Sequence, residues 1–327
     1  MNEVSPTESF EQSFFKLTPD QVLDAIESTG LFPQAALLAL NSYENRVYQF
    51  RDDDENKFVV KFYRPHRWSD EQILEEHQFS LQLADNEIPV IPPIKFNQQT
   101  LLEFNGFRFS IFECKGGRTP ELEDKKTLQW IGRFIGRIHA IGQSEIFQHR
   151  PELTIQSFAK ESVQFLLAGN FIPTHILPAY QAITEQLIEI SQQKFAELGH
   201  FDSIRLHGDC HPSNVLWTDD GPHFVDFDDA RTGPAVQDLW MLINDASNRE
   251  LWNELLTGYE DFMEFDDRQF KIVEPLRTIR MIHYSGWLAK RWQDPSFKHN
   301  FPWFNTARYW EEHILSLKEQ LSVIQHH

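Results

Sequence analysis

The chain has 327 residues, of which 41% are hydrophobic and 24% charged, which is typical of a soluble globular protein with room for two lobes. Its formal net charge of −19 argues against a nucleic-acid partner, because phosphate backbones need a basic face. The N-terminus has no signal-peptide pattern, and no apolar stretch approaches the roughly 20 residues of a membrane helix. With only two cysteines, Cys114 and Cys210, a reducing compartment is indicated, so we expect a cytoplasmic monomer without a membrane partner.

The first predicted elements are a tail, a helix and a β-hairpin. Residues 1–15 are polar and acidic, and we expect them to form a flexible tail. Thr18 and Gln21 have the spacing of a capping box, which predicts the start of a helix. The runs 47–51 and 57–63 are rich in apolar residues and flank a short acidic connection, so they predict two paired strands.

A second helix and a second hairpin follow. Ser69 is placed to cap a helix that runs to about Asn86. The runs 101–104 and 107–112 flank Asn-Gly, which is a strong hairpin signal. Beyond Gly117 the pattern becomes mostly helical, so we predict a small β-rich lobe followed by a larger helical lobe.

The most informative polar motif is Leu-His-Gly-Asp-Cys-His-Pro-Ser-Asn at residues 206–214. Asp209 precedes Asn214 by five residues, which is the spacing of a protein-kinase catalytic loop. In that loop the Asp receives the proton of the acceptor hydroxyl and the Asn holds magnesium. Alternatively, His207, Asp209 and His211 could be transition-metal ligands, or the segment could be an ordinary polar loop.

The segment after this motif predicts a hairpin. Short apolar runs at 214–217 and 223–226 flank a turn that contains Asp-Gly. Such a hairpin would return Asp226 to Asn214, so that one hard cation could contact oxygen atoms of both side chains. The combination favours phosphoryl transfer over both alternatives. Asp228 and Asp229 are expected to be exposed acidic neighbours.

Lys61 stands alone among apolar residues in a predicted strand, and a buried ammonium group needs an anionic partner. A lysine that points to solvent from an edge strand is the alternative. Glu76 shares a helix face with Phe79 and is the favoured partner of Lys61, with Glu75 as the second candidate.

These motifs resemble the aminoglycoside phosphotransferase and choline kinase branch of the protein-kinase-like fold, which carries His-Gly-Asp. Residues 40–50, 58–65 and 233–240 are further similar to the bacterial stress response kinase A family, whose members are described as serine/threonine protein kinases. The resemblance covers the chain from about residue 15 to about residue 310. It implies an α+β, bilobal protein-kinase-like fold with a nucleotide-binding lobe at 16–115 and a catalytic and substrate lobe at 116–327.

The resemblance also implies ATP as co-substrate and Mg²⁺ as cofactor. Asp209 would act as the base, Asn214 and Asp226 would hold the metal with Asp226 also catalytic, and Asp238 would anchor the catalytic loop through backbone amides. The loop before Arg46 lacks the glycine-rich pattern of protein kinases. The implied nucleotide-binding residues are Ser42, Lys61, Glu76 and the lobe connection Glu113, Cys114 and Lys115.

The acceptor is implied by the resemblance alone: a serine or threonine of a protein, the enzyme itself included. A small-molecule kinase acting on choline, homoserine, a sugar or an aminoglycoside would use the same residues, and a non-catalytic nucleotide-binding regulator is a further alternative. The C-terminal stripe of Arg277, Arg280, Tyr284, Trp287 and Arg291 has helical spacing. We favour packing, with the arginines paired to acids, over a substrate-facing surface.

Overall fold

The computed structural model describes residues 17–243 and 248–326, so the predicted tail at residues 1–15 lies outside the described residues. The chain divides into two compact units. Unit 1 contains the described residues up to Glu121 together with Phe147–Arg150 and His211–Ala230. Unit 2 contains Leu122–Ile146, Pro151–Cys210 and the chain from Arg231 onward. The lobe boundary between residues 115 and 116 stays a prediction.

Unit 1 contains a five-stranded antiparallel sheet in the order β1-β2-β3-β5-β4. Both predicted hairpins are confirmed, since β2 pairs with β3 and β4 pairs with β5. Lys61 lies on the central strand, opposite Val47 on one side and Ser110 on the other. The strands are β1 (Leu38–Ala39), β2 (Arg46–Arg51), β3 (Lys57–Phe62), β4 (Leu102–Phe104) and β5 (Phe107–Glu113).

Two helices of unit 1 begin at the predicted cap residues, Thr18 and Ser69. In α1 (Pro19–Glu27) the Thr18 side chain caps the first turn, and in α2 (Asp70–Asp85) Ser69 does so. Residues on one face of α1 join the core of the sheet. Phe79 of α2 is buried and packs edge-on against Phe227, which brings the segment around Phe227 against this helix.

The predicted hairpin after Asn214 is present in unit 1 as β7 (Val215–Thr218) and β8 (Gly221–Phe224), and is called the small hairpin below. Its turn lies one residue earlier than the Asp-Gly pair suggested, because Gly221 is already the first residue of β8 and pairs with Thr218.

Unit 2 is mostly helical, with one short antiparallel pair formed by β6 (Ser203–Leu206) and β9 (Arg231–Pro234). The combination of antiparallel sheet and helices confirms the α+β class. No helix in the described part of the chain has the length and apolar character to cross a membrane. The helices are α3 (Lys125–Gly142), α4 (Glu161–Ala168), α5 (Leu177–Leu198), α6 (Gln237–Trp240), α7 (Arg249–Tyr259), α8 (Val273–Lys290), α9 (Pro295–Asn300) and α10 (Ala307–His326).

Helices α3 and α7 pack with their backbones in close contact, because a glycine on each helix faces the backbone of the other. A Cβ atom at Gly132 would lie 2.0 Å from the carbonyl oxygen of Leu255, and one at Gly258 would lie 1.9 Å from that of Gln129. Real Cβ atoms do not approach backbone oxygen so closely. The two helices therefore tolerate no larger residue at these positions without moving apart.

Replacing Gly132 with alanine should destabilise the protein, because the added methyl group must push α7 away from α3. We expect the free energy of unfolding to fall by about 1–3 kcal/mol, the usual cost of overpacking. Chemical denaturation would measure the loss. Gly116→Ala is the matched control, since a Cβ atom there meets nothing within 4 Å. Equal losses in the two variants would contradict the proposed steric cause.

Candidate active site

A cavity of about 440 Å³ lies in unit 1. Its polar lining comes from the loop between β1 and β2, from strands β2 and β3, from helix α2, from the end of β5 with the chain that follows it, and from the residues that flank the hairpin of β7 and β8. Its apolar lining includes Leu40, Val59 and Phe112. All of the nucleotide-binding and metal residues predicted from the sequence line this cavity: Ser42, Lys61, Glu76, Glu113, Cys114, Lys115, Asn214 and Asp226.

Lys61 is buried, with 8% of its surface exposed, so the solvent-facing alternative is wrong. Its Nζ atom lies 3.0 Å from Oδ1 of Asp226 and 3.1 Å from Oδ1 of Asp228. Burial alone would lower the pKa of Lys61, but the attraction of these two carboxylates is stronger, and the pKa is raised well above 10.5. The lysine is therefore a fixed positive charge on the cavity wall.

Asp228 was expected to be exposed, and that expectation is wrong, because only 4% of its surface is accessible. Its carboxylate is an ion-pair partner of Lys61 and Arg67 and accepts a hydrogen bond from Nδ2 of Asn45 at 3.2 Å. Burial would raise its pKa, but the two cations lower it to about 2. Asp229 is also partly covered, since Arg67 Nη2 lies 2.9 Å from its Oδ1. The sequence carries no local signal for Arg67.

The loop that carries Ser42 is held by an arginine located just after β3. Arg64 donates from Nε to the carbonyl oxygen of Glu44 at 2.8 Å and from Nη2 to that of Tyr43 at 3.2 Å. Its backbone N–H donates to Oδ1 of Asn45 at 3.1 Å. A loop without the kinase glycines thus gains a defined shape from side-chain contacts, which the spacing of residues alone did not indicate.

The two glutamates proposed as partners of Lys61 have different surroundings. Glu75 accepts hydrogen bonds from the backbone N–H groups of His149 at 2.9 Å and Arg150 at 2.7 Å, so it is occupied elsewhere. Glu76 lines the cavity and is 5% exposed. Burial raises its pKa to about 7, although Lys61 acts in the opposite direction. Lys61 forms its ion pairs with the aspartates rather than with Glu76.

Asn214 and Asp226 are brought together by the small hairpin, as predicted. The backbone N–H of Val225 donates to the carbonyl oxygen of Asn214 at 3.1 Å. His211 caps the turn before Asn214 by accepting from the N–H of Ser213 at 3.2 Å. More than half of the Asp226 side chain is exposed, at 55%.

These two side chains suit a hard cation. One carboxylate and one amide oxygen match the small number of protein ligands that Mg²⁺ takes when it keeps waters and phosphate oxygens in its coordination shell. Across residues 17–243 and 248–326, no group of three or more His, Cys, Asp or Glu side chains is placed to hold a metal ion, which gives no support to the transition-metal alternative.

In unit 2, the segment from His207 to Asp209 directly follows strand β6 and is anchored by Asp238. The buried Asp238 carboxylate accepts from the N–H of His207 at 2.7 Å and from that of Gly208 at 2.8 Å, as expected from the family resemblance. His139 lies 3.1 Å from the same carboxylate. Gly208 has a φ of 86°, a conformation that favours glycine, so His-Gly-Asp suits this turn better than His-Arg-Asp would.

The carboxylate of Asp209 contacts an arginine of helix α8. Nη1 of Arg280 lies 2.7 Å from Oδ1 of Asp209. Arg277, one turn earlier, follows the packing expectation, because it pairs with Glu274 at 3.3 Å and lies over the ring of Trp240. Arg280 pairs with an acid as well, but that acid is the candidate catalytic base.

The buried carboxyl group of Glu76 gives a pH-dependent prediction. Its pKa is about 7 in the folded protein against 4.5 normally, so its contribution to stability is fully present below pH 4.5 and is lost as the pH rises through about 7. The Glu76→Gln variant lacks this pH-dependent loss of stability, because its amide side chain does not titrate. From about pH 5 to about pH 8, the unfolding free energy of the wild type should fall relative to the variant by about 3 kcal/mol.

Denaturation at a series of pH values would measure this difference. Glu103→Gln, at an exposed position on β4, serves as the control and should follow the wild type throughout. A constant difference between wild type and Glu76→Gln across the range would show that Glu76 does not titrate near neutral pH.

Comparison with known proteins identifies the relatives of this chain. The sequence model of the phosphotransferase enzyme family matches residues 37–272. Stress response kinase A of Escherichia coli (strain K12) is 45% identical over 315 residues, which cover 96% of this chain and 95% of the relative. The serine/threonine protein kinase RdoA of Salmonella typhimurium (strain LT2) is 42% identical over 314 residues, with 95% of each chain covered.

Solved structures show the same fold at low sequence identity. A microcompartment-associated aminopropanol kinase has a TM-score of 0.71 at 16% identity, with 93% of this chain and 98% of that chain covered. Amicoumacin kinase, in complex with AMP-PNP and Ca²⁺, has a TM-score of 0.68 at 20% identity, with 83% and 86% covered. The chain is a phosphotransferase of kinase-like fold, and it belongs to the stress response kinase A family within the phosphotransferase enzyme family.

Proposed function

We propose that this protein is an ATP- and Mg²⁺-dependent kinase that transfers the γ-phosphate to serine or threonine of a protein acceptor, itself included. The observation that carries the proposal is the cavity of unit 1, where a buried lysine, two oxygen ligands and an apolar wall are found together. This is the set of groups that a nucleotide with its metal requires.

The base of the nucleotide would bind between the apolar residues of the cavity. The N–H of Cys114 already donates to the carbonyl oxygen of Lys57 at 3.0 Å, so the carbonyl of Glu113 and the amide of Lys115 are the groups proposed for the edge of adenine. Ser42 and neighbouring backbone amides would contact the phosphates.

Lys61 would bind the α- and β-phosphates, for which its fixed positive charge is suited. Asn214 and Asp226 would hold Mg²⁺, which neutralises charge on the phosphate oxygens when it is bound. Asp228 is less suited to the metal, because it is buried and paired with Arg67. We propose that Asp228 instead keeps the end of the Lys61 side chain in place.

Asp209 would accept the proton of the acceptor hydroxyl, or orient that hydroxyl, as the phosphate is transferred. Asp238 supports this role by fixing the backbone before Asp209 through two amides. A protein acceptor is supported by the name of the Salmonella relative, a serine/threonine protein kinase. The aminopropanol kinase of similar fold is named for a small molecule, so small hydroxyl compounds are the second class of acceptor to be tested.

Asp209→Ala should reduce transfer by orders of magnitude while nucleotide binding survives, because Asp209 is not among the residues that line the cavity of unit 1. We expect a loss of at least about 10²–10⁴-fold, the usual contribution of a general base. Transfer of labelled γ-phosphate to generic acidic and basic protein acceptors would be measured, together with calorimetric ATP binding. Retained turnover in the variant would reject Asp209 as the base. A wild type that phosphorylates only small hydroxyl compounds would reject the protein acceptor.

Asp226→Asn should raise the Mg²⁺ concentration needed for half-maximal activity by at least about tenfold, because the metal loses a charged ligand. A magnesium titration of the transfer rate would measure the change. Asp219→Asn is the matched control, since Asp219 is exposed in the turn of the same hairpin. Unchanged magnesium dependence in Asp226→Asn would remove Asp226 from the metal site.

A further inference from the structure

We propose that Arg280 determines acceptor specificity: it orients the Asp209 carboxylate and selects protein segments in which Asp or Glu flanks the reacting serine or threonine. The inference rests on the proposed function, because it assumes that Asp209 faces the acceptor. It concerns unit 2 alone.

The contact between the two side chains is close and partly open to solvent. Nη1 of Arg280 lies 2.7 Å from Oδ1 of Asp209, and 40% of the Arg280 side chain is exposed against 23% for Asp209. A guanidinium group has five N–H donors in a rigid plane, so it can bind one carboxylate and present further donors to a second anion. Whatever approaches Asp209 therefore also approaches a fixed cation.

Basic residues outnumber acidic residues on the helix that carries Arg280. Helix α8 with the following Arg291 carries four basic residues and one acidic residue, in a chain whose net charge is −19. That acidic residue, Glu274, is buried and already bound to Arg277 and to Nε2 of Gln320 at 2.8 Å. Helix α8 with Arg291 therefore has more basic than acidic residues, although the whole chain is acidic.

The positive charge of Arg280 should distinguish cationic acceptors from anionic ones. A cationic acceptor such as choline or an aminoglycoside would meet like charge at Arg280 and would have to compete with it for Asp209. An anionic group beside the acceptor hydroxyl would instead pair with the open donors of Arg280. One turn further on, the exposed Tyr284 stacks on Trp287 at 5.7 Å between ring centroids, which offers a flat contact for a peptide chain.

The test uses serine peptides that are identical except for flanking Glu, Gln or Lys. For the wild type we expect kcat/KM to be at least about tenfold higher with Glu than with Lys, because like charges in contact are strongly unfavourable. Arg280→Gln should abolish this difference, mainly through KM for the peptide, and should lower kcat for every peptide because Asp209 loses its support.

Two further variants distinguish selection by charge from a general structural effect. Arg280→Lys should restore the preference for Glu but not the full kcat, because lysine keeps the charge and lacks the planar fork. Arg308→Gln is the matched control, since Arg308 is an exposed arginine of the same unit that pairs with Glu312. It should retain the wild-type preference, and KM for ATP should be unchanged in all variants.

Each outcome decides the proposal. Equal rates with all flanking residues, or a preference for Glu that survives Arg280→Gln, would overturn the role of Arg280 while leaving the protein kinase in place. If no peptide is phosphorylated, the assay is repeated with hydroxy acids and hydroxy amines of equal size as acceptors. Faster transfer to the hydroxy acids would then support Arg280 and reject the protein acceptor, and the opposite result, or no transfer at all, would overturn both.

Discussion

The buried ion-pair network around Lys61 is the interaction on which the cavity of unit 1 depends. The lysine lies on the central strand of the sheet and contacts Asp226 and Asp228, and Asp228 in turn binds Arg67. Buried charges are costly unless they are paired, so the loss of Asp228 would leave the buried Lys61 and Arg67 with less compensation, whereas Asp226 is more than half exposed. The network thereby joins strand β3, the loop of Asn45 and the segment after the small hairpin within one unit.

In unit 2, a buried carboxylate positions the segment that carries the candidate residue Asp209. Asp238 receives two backbone N–H groups and fixes the turn at Gly208, so that the carboxylate of Asp209 is presented at the end of strand β6. In each unit an acidic side chain proposed for catalysis contacts a basic one: Asp226 contacts Lys61, and Asp209 contacts Arg280. A strongly acidic chain thus places cations beside the carboxylates proposed for its chemistry, where unpaired negative charge would repel a nucleotide or an anionic acceptor.

Local chemistry explains which predictions succeeded. The capping box at Thr18, the cap residue Ser69 and the Asn-Gly turn depend on neighbours in sequence, and all are present in the structure. The hairpin after Asn214 also follows from nearby residues, although its turn is displaced by one. The partners of Asp228 are far away in sequence, more than 150 residues from Asn45 and Arg67, and so the prediction that Asp228 is exposed was wrong.

By itself, the sequence predicted a β-rich lobe followed by a helical one, and the spacing of its motifs marked Asp209, Asn214 and Asp226 as candidate residues. Ser42, the lobe connection and the kinase-like fold were implied by the resemblance to a known family. Only the tertiary structure decided which charges pair. Lys61 forms ion pairs with two aspartates, while Glu76 lines the same cavity and has a pKa near neutrality. Arg280 forms its ion pair with Asp209 rather than with a surface acid. The physical reason is that burial and distance set the strength of an ion pair, and neither can be derived from the position of a residue along the chain.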